Sequence, residues 1–241
     1  MDQPRIDAIA TRWSLIRRPG PDQSPESTAE ARRLLVLRYA AAIRRYIGAI
    51  VKDDEQAAEL SQDVVVRLMR GDFAGADPSK GRFRDLLKVA IRNMVRNHWQ
   101  KESRDRRSEA NLDLVADEAA EAQDHEWTLA WQRSVLQHAW ARIEEEDRTT
   151  SAAKSNSAMD VLKLRIEHPD ASTAELADLL RRRWKTEVKP DNCRQLLSRA
   201  RKRFAAVLID EVRSGLDDES DERLEEELAA LQLLDWIGDP K

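Results

Sequence analysis

The sequence has 241 residues, of which 36% are charged, 5% are aromatic and only seven are glycine. This composition favours long, salt-rich helices, and no alternating strand pattern stands out, so we predict an all-α fold. The length suits one large domain or two small ones, each with its own core. The net charge of −4 is unevenly spread, because basic residues cluster in two places and acidic residues gather near the C-terminus.

The cysteine content and the N-terminal sequence indicate the compartment. Cys193 is the single cysteine, so an intramolecular disulfide is excluded. The first residues lack the basic and apolar regions of a secretory signal, and no run approaches the ~18 apolar residues that a membrane span needs. We therefore expect a cytoplasmic protein with no membrane span.

The N-terminal part of the chain predicts two helices. Residues 6–16 carry apolar side chains on one side, which is typical of a short helix, and residues 17–27 are a loop containing proline and glycine. A capping-box pattern from Ser27 to Glu30 begins a long helix that continues to about residue 50.

Residues 54–69 predict an amphipathic helix with an acidic outer face. Its apolar positions recur at helical spacing and are Ala57, Ala58, Leu60, Val64, Val65, Leu68 and Met69. Its outer positions are Glu55, Glu59, Gln62 and Asp63. A charged face of this kind is usually simple charge balance, so it does not identify a partner by itself.

A basic helix follows a connector over residues 71–80. One face is apolar and consists of Phe83, Leu86, Leu87, Ala90, Ile91, Met94 and Val95. Four cations recur every four residues and form one slowly winding outer stripe, Arg84, Lys88, Arg92 and Arg96. Further cations follow at Lys101, Arg104, Arg106 and Arg107. Neighbouring acids are too few to pair this stripe, so it favours nucleic-acid binding over a surface of salt bridges.

The middle of the chain predicts a linker and two further helices. Residues 109–124 are rich in alanine and acids and contain few large apolar residues, which is typical of a linker. A helix is predicted over residues 126–146, with Trp127 and Trp131 at core-like spacing. After a break over residues 149–157, a helix begins near residue 158 and ends before Pro169.

Residues 172–203 predict a helix-turn-helix. A capping box from Ser172 to Glu175 begins the first helix, residues 181–188 form the turn, and Pro190 suits the first position of the second helix. The second helix buries Cys193, Leu196, Leu197, Ala200, Phe204 and Leu208, and it exposes Asn192, Arg194, Gln195, Ser198, Arg199, Arg201 and Lys202. Such side chains can bind base edges and phosphates, although an ordinary basic surface helix has the same pattern.

No pattern in the sequence indicates an enzyme, a metal or a cofactor. The four histidines are scattered, and none has a partner at metal-ligand spacing. The glycines form neither a phosphate loop nor a dinucleotide pattern. Cys193 lies on an apolar face and is expected to be a buried thiol. Trp99, beside Lys101, is open to packing or to base stacking.

Two segments resemble bacterial sigma factors of the extracytoplasmic-function (ECF) group in the sigma-70 family. Residues 59–68 are similar to the Asp-Leu-x-Gln-Glu-x-Phe segment, with Val65 where an aromatic residue is usual. Residues 81–84, Gly-Arg-Phe-Arg, and the helix after them resemble the next segment, with Leu86 where tryptophan is usual. Residues 11–16, 82–97 and 126–127 also resemble a planctomycete-type subgroup.

The resemblance implies two small helical domains that bind core RNA polymerase and direct it to promoters. We expect an N-terminal extension over residues 1–26 and a domain similar to sigma region 2 over residues 27–107. A flexible linker over residues 108–125 follows. A helix-turn-helix domain similar to sigma region 4 then covers residues 126–214, and residues 215–241 are an acidic C-terminal extension.

The resemblance also implies roles for individual residues. Polymerase docking is expected at Glu55, Glu59, Leu60, Gln62 and Asp63. Contacts to the minus-ten promoter element are expected at Arg84, Lys88, Arg92, Asn93, Arg96, Asn97, Lys101, Arg104, Arg106 and Arg107. Contacts to the minus-thirty-five element are expected at Asn192, Arg194, Gln195, Ser198, Arg199, Arg201 and Lys202. The implied partners are core RNA polymerase and promoter DNA, and the existence of an anti-sigma factor is left open. A stand-alone helix-turn-helix regulator and a polymerase-bound regulator without promoter reading are the alternatives.

The acidic C-terminal extension carries an apolar stripe at Leu224, Leu228, Leu231 and Leu234, joined by Trp236 and Ile237. A solvated tail has no use for such a stripe, so we expect a helix that packs. One hypothesis is that it folds over the helix-turn-helix domain and competes with DNA. The other is that it only covers an exposed apolar edge.

Overall fold

The structure, a computed structural model, describes residues 25–73, 82–105, 116–150, 158–216 and 220–238. In these ranges the protein is all-α, as predicted, and contains no strand. The helices are α1 (Pro25–Val51), α2 (Asp54–Arg70), α3 (Phe83–Asp105), α4 (Ala116–Thr150), α5 (Ala158–Glu167), α6 (Thr173–Trp184), α7 (Pro190–Arg213), α8 (Asp221–Ala230) and α9 (Leu234–Ile237). The short helix predicted over residues 6–16 lies outside the described residues.

Local chemistry fixes both ends of helix α2. Asp53 is the N-cap, and its carboxylate accepts a hydrogen bond from the backbone N–H of Gln56 at 2.9 Å. Gly71 ends the helix with a φ of 80°, in the left-handed region that glycine adopts without steric cost. Arg32 of α1 donates to the last two carbonyl oxygens of α2, each at 3.3 Å. The predicted span of residues 54–69 is therefore correct to within one residue.

The described residues divide into two compact units. The first unit contains α1, α2, α3, the part of α4 up to Val135, and residues 212–232 with α8. The second unit contains α4 from Leu136, α5, α6, α7 up to Glu211, and α9. Each unit has its own buried apolar side chains.

Four aromatic side chains from α1 and α4 lie at the centre of the first unit. Tyr39 stacks on Trp131, with ring centroids 4.4 Å apart and an interplanar angle of 7°. Tyr46 meets Trp127 edge-on at 4.8 Å, and the two tryptophan rings are 5.3 Å apart. All four side chains are at most 1% exposed. The prediction that these tryptophans pack in a core is confirmed.

This packing differs from the predicted linker and domain boundary. Residues 116–125 lie within α4, whereas the sequence indicates a flexible linker over residues 108–125. Trp127 and Trp131 belong to the first unit, whereas the helix over residues 126–146 was predicted to begin the second domain. A periodic apolar face shows that a residue is covered, but it does not show which helix covers it.

The second unit contains the predicted pair of helices α6 and α7. The capping box is confirmed, because the Ser172 side chain accepts from the Glu175 N–H and the Glu175 carboxylate accepts from the Ser172 N–H. Helix α6 continues to Trp184, so the connection to α7 spans residues 185–189 and is shorter than predicted. Helix α5 ends at Glu167, just before Pro169, as expected from the missing proline N–H.

The acidic C-terminal segment forms two helices that belong to different units. Leu224, Leu228 and Leu231 of the α8 segment are buried in the first unit, which confirms the prediction of a packing helix. Its packing differs from the hypothesis of a helix lying over α6 and α7. Helix α9 belongs to the second unit, where the Trp236 ring lies 6.5 Å from the Phe204 ring of α7 and remains 49% exposed.

Candidate protein and nucleic-acid interfaces

Helix α2 presents an acidic face to solvent. Glu55, Glu59 and Asp63 recur every four residues, and these side chains and Gln62 are exposed. A spacing of 100° per residue places the four within about 100° of the helix circumference, so they share one face. Leu60 is only 5% exposed and belongs to the core behind this face. Four of the five predicted docking residues are therefore accessible together.

The acidic face of α2 also carries apolar side chains that the sequence analysis did not identify. Val66 and Met69 are each 42% exposed. Their helical angles place Val66 between the acids and Met69 at the edge of the same face, beside Gln62. Met69, which was grouped with the apolar positions of this helix, is exposed, because Leu68 occupies the buried side at this turn. A helical projection that included Val66 would have found this mixed surface. Exposed apolar groups among acids are typical of a protein-binding surface.

Two cations of the predicted stripe on α3 contact the first half of α4. Asp124 lies 3.2 Å from the Lys88 ammonium and 2.8 Å from the Arg92 guanidinium. Arg92 also donates to the Tyr46 hydroxyl at 3.2 Å. Burial raises the pKa of Tyr46, and the nearby Arg92 charge opposes that rise. Lys88 and Arg92 are half-buried and therefore hold α3 against α4 in this structure.

The outer part of α3 remains open to solvent. The exposed side chains are Asn93, Arg96, Asn97 and Lys101. Arg96 and Lys101 are exposed cations, the kind of group that binds a polyanion. Trp99 is half-buried. Arg104 lies on α3, and Arg106 and Arg107 lie outside the described residues.

Arg84 departs from the exposed stripe in which the sequence analysis placed it. It is 7% exposed, and its guanidinium lies 3.0 Å from the carboxylate of Glu227 on α8. Arg82 lies 3.0 Å from the same carboxylate. The expectation of an exposed Arg84 is wrong for this structure, because an acid far along the chain covers it.

Helix α7 exposes all seven residues that were predicted to read the minus-thirty-five element. They are Asn192, Arg194, Gln195, Ser198, Arg199, Arg201 and Lys202. Arg194 has an ion pair with Asp191 one turn earlier, at 3.2 Å, and both side chains are at least 70% exposed. Such an exposed pair is worth little and can yield to a phosphate or a base.

Buried contacts set the position of α7 within the second unit. Cys193 is fully buried on its inner face, and burial raises the pKa of this thiol, opposed by the nearby Arg165 charge. The prediction of a buried thiol is confirmed. Asp160 of α5 accepts from the Trp184 indole N–H at 2.9 Å and pairs with Arg183 at 3.2 Å. The α6–α7 pair is thereby tied to α5.

An apolar cavity of about 1060 Å³ lies in the second unit beside α7, and the sequence analysis did not anticipate it. Trp140, Phe204 and Trp236 line it together with aliphatic side chains of α4 and α5. Four predicted DNA-contacting residues also line it, Arg194, Ser198, Arg201 and Lys202. The periodicity placed Phe204 on an apolar face but gave no sign of a gap beside it.

Comparison with known proteins finds a similarity in the first part of the chain. Residues 35–105 match the family model for Sigma-70 region 2. These residues comprise α1 from Leu35, α2 and α3, so both the acidic face and the basic helix lie within the match. The match supports a sigma factor of the sigma-70 family, with a role in promoter recognition by RNA polymerase. No curated protein and no solved structure matches the chain significantly.

The described part of the chain contains no helix that could span a membrane. It also contains no group of three or more histidine, cysteine or acidic side chains arranged to hold a metal ion.

Proposed function

We propose that this protein is a sigma factor of the ECF group, close to the planctomycete-type subgroup, that binds core RNA polymerase and directs it to specific promoters. One observation carries the proposal. The segment matching Sigma-70 region 2 coincides with α1–α3, and a helix pair with an exposed, polar and cationic second helix follows it. This order of elements is the one that the resemblance implies. The protein then acts in the cytoplasm.

Polymerase docking is assigned to the exposed face of α2. Glu59, Gln62 and Asp63 supply charge and hydrogen-bonding groups, and Val66 and Met69 supply apolar area on the same face. A mixed surface of this kind fits a basic helical partner, since buried apolar contacts give affinity and charge pairs set orientation.

Recognition of the minus-ten element is assigned to the outer part of α3. Arg96 and Lys101 would contact phosphates, and Asn93 and Asn97 can donate to and accept from base edges. The half-buried Trp99 lies within this stretch and can offer a stacking surface to an unpaired base. Lys88 and Arg92 would have to break their ion pairs with Asp124 before they could contact DNA.

Recognition of the minus-thirty-five element is assigned to α7, acting with α6 as a helix-turn-helix. Its N-terminal residues Asn192, Arg194 and Gln195 are exposed and are the side chains that such a helix turns toward base edges. Ser198, Arg199 and Lys202 follow on later turns and can bind further base edges or phosphates. All these groups are presented without rearrangement of the second unit.

The pairing of basic residues in the first unit favours one alternative, a polymerase-bound regulator that does not read promoters. Arg84 is buried against Glu227, and Lys88 and Arg92 pair with Asp124. A stand-alone regulator that uses α6 and α7 would need only DNA. It leaves the exposed face of α2 without a partner.

In-vitro transcription distinguishes these functions. The purified chain is added to core RNA polymerase on a library of genomic fragments, and the transcripts and the proteins retained on the polymerase are measured. A sigma factor binds the core enzyme and starts transcription at a defined set of fragments. Binding to polymerase without new start sites would indicate the non-reading regulator. Binding to DNA alone would indicate the stand-alone regulator, and either result would overturn the proposal.

A further inference from the structure

The N-terminal end of α3 carries two arginines where the helix itself is already positive. Arg82 directly precedes α3, and its carbonyl oxygen accepts the N–H groups of Asp85 and Leu86, at 3.0 and 3.2 Å. Arg84 is the second residue of the helix. The unpaired N–H groups and the macrodipole make a helix N-terminus favourable for anions and unfavourable for cations. Two guanidinium groups at this end therefore require an anion.

In this structure the anion is a carboxylate from the C-terminal segment. Glu227 of α8 lies 3.0 Å from Arg82 and 3.0 Å from Arg84, and Glu226 lies 3.6 Å from Arg82. Glu227 is 5% exposed and Arg84 is 7% exposed, so the central pair is removed from solvent. The carboxylate thus lies between two arginines at the N-terminal end of α3.

A charged contact of this kind is a poor choice if α8 serves only to complete the core. Burying an arginine and a glutamate costs desolvation energy that their attraction barely offsets, and apolar residues of similar size would hold α8 at least as well. Leu224 and Leu228 already provide such apolar contacts on the same helix. Unlike an apolar contact, the ion pair can be replaced by another anion, because arginines bind a phosphate as well as a carboxylate.

We propose that Arg82 and Arg84 form a binding site for a backbone phosphate of promoter DNA, and that α8 occupies this site in the free protein. This inference rests on the proposed function. It adds one phosphate contact and a segment, α8, that blocks this contact in the free protein. Glu227 imitates the phosphate, and α8 is held nearby by the chain, which gives it a high effective concentration. DNA presented by polymerase must therefore displace α8 before the two arginines can bind it.

The test compares single-stranded DNA binding by the full-length chain and by Glu227→Gln over a range of salt concentrations. The substitution keeps the size of the side chain but removes the charge, so the docking of α8 weakens and the arginines become accessible. Each additional phosphate contact steepens the salt dependence on single strands by about 0.7, and the two arginines together bind one phosphate, so the slope should steepen by about 0.7. If the two proteins bind equally at 1 M salt, this slope corresponds to about 5-fold tighter binding at 0.1 M salt.

Two further variants make the test specific. Glu225→Gln is the matched control, because Glu225 lies on the same helix but is exposed and forms no ion pair with a described residue. It should leave the slope unchanged beyond the small effect of one lost surface charge. Leu228→Ala weakens the docking of α8 while every charge stays in place, and it should also tighten DNA binding. Adding Arg84→Ala to Glu227→Gln should remove at least half of the gain in slope.

The opposite results are equally clear. If Glu227→Gln and Leu228→Ala lower the midpoint of chemical unfolding while DNA affinity and salt slope match the control, α8 is structural and the inference is overturned. Should Glu227→Gln lose helical circular dichroism, Leu228→Ala decides the question alone. Binding to core polymerase is measured in parallel. If neither the wild type nor any variant binds core polymerase, the proposed function is wrong, whatever the result of the DNA-binding measurements.

Discussion

Replacement of Trp131 by alanine should destabilise the first unit more than any surface substitution. Trp131 is 1% exposed, stacks on Tyr39 at 4.4 Å and lies 5.3 Å from Trp127. Truncating a buried tryptophan typically costs about 3–5 kcal/mol through lost burial and the remaining cavity. Because a small domain is stable by only about 5–15 kcal/mol, the loss is a large part of the total.

The free energy of unfolding is measured by urea denaturation followed by circular dichroism. Trp236→Ala is the matched control, since this tryptophan is 49% exposed and its loss should cost less than about 1 kcal/mol. If the two units unfold in separate steps, Trp131→Ala should shift one step and leave the other in place. Equal, small effects of the two substitutions would refute the assignment of this part of α4 to the core of the first unit.

Two further predictions concern the second unit. Arg194→Ala and Arg199→Ala should each cost about 1–3 kcal/mol of DNA affinity and relax preference at one promoter position if that arginine reads a base. Binding-site selection measures this, and a uniform loss on all sequences would make the residue a phosphate contact. The Ser172 side chain, and after it the Ser172 backbone N–H, hold the pKa of Glu175 below its ordinary value. Ser172→Ala should remove the first of these two contributions and leave the second. Because the pKa of Glu175 is lower in the folded chain than in the unfolded chain, the ionised carboxylate stabilises the fold at pH values above the unfolded pKa. This stabilisation is lost as the pH falls through the folded pKa. The difference in Tm between variant and wild type should therefore narrow in acid.

The sequence was sufficient for features that depend on neighbouring residues. The span of α2 follows from the N-cap at Asp53 and the glycine at Gly71, both of which act within one turn. The exposed residues of α7 follow from the inward positions of Cys193 and Ala200, because helical geometry fixes the opposite face. Composition and periodicity were likewise sufficient for the all-α fold.

The sequence was not sufficient for features that depend on distant residues. Arg84 looks like one cation in a regular stripe, and nothing near it in the chain indicates that Glu227 covers it. Trp131 has core-like spacing, but the periodicity cannot identify Tyr39 of α1 as its partner. The acidic, alanine-rich composition before His125 suggested a linker, yet residues 116–125 are helical. The intrinsic conformational preference of such a short segment is weak, so packing farther along the same helix can override it.

The affinity of the full-length chain for core RNA polymerase tests the central claim most directly. We expect tight binding by the wild type and marked weakening when Glu59 and Asp63 are both changed to lysine, since both lie on the exposed face of α2. Fold stability should change by no more than about 0.5 kcal/mol per site. Reversal of Glu126 and Glu167, which are exposed outside this face, supplies the control with the same change in net charge and should leave affinity nearly unchanged. Failure of the wild type to bind core polymerase, or equal affinity of a folded Glu59→Lys, Asp63→Lys variant, would contradict the account.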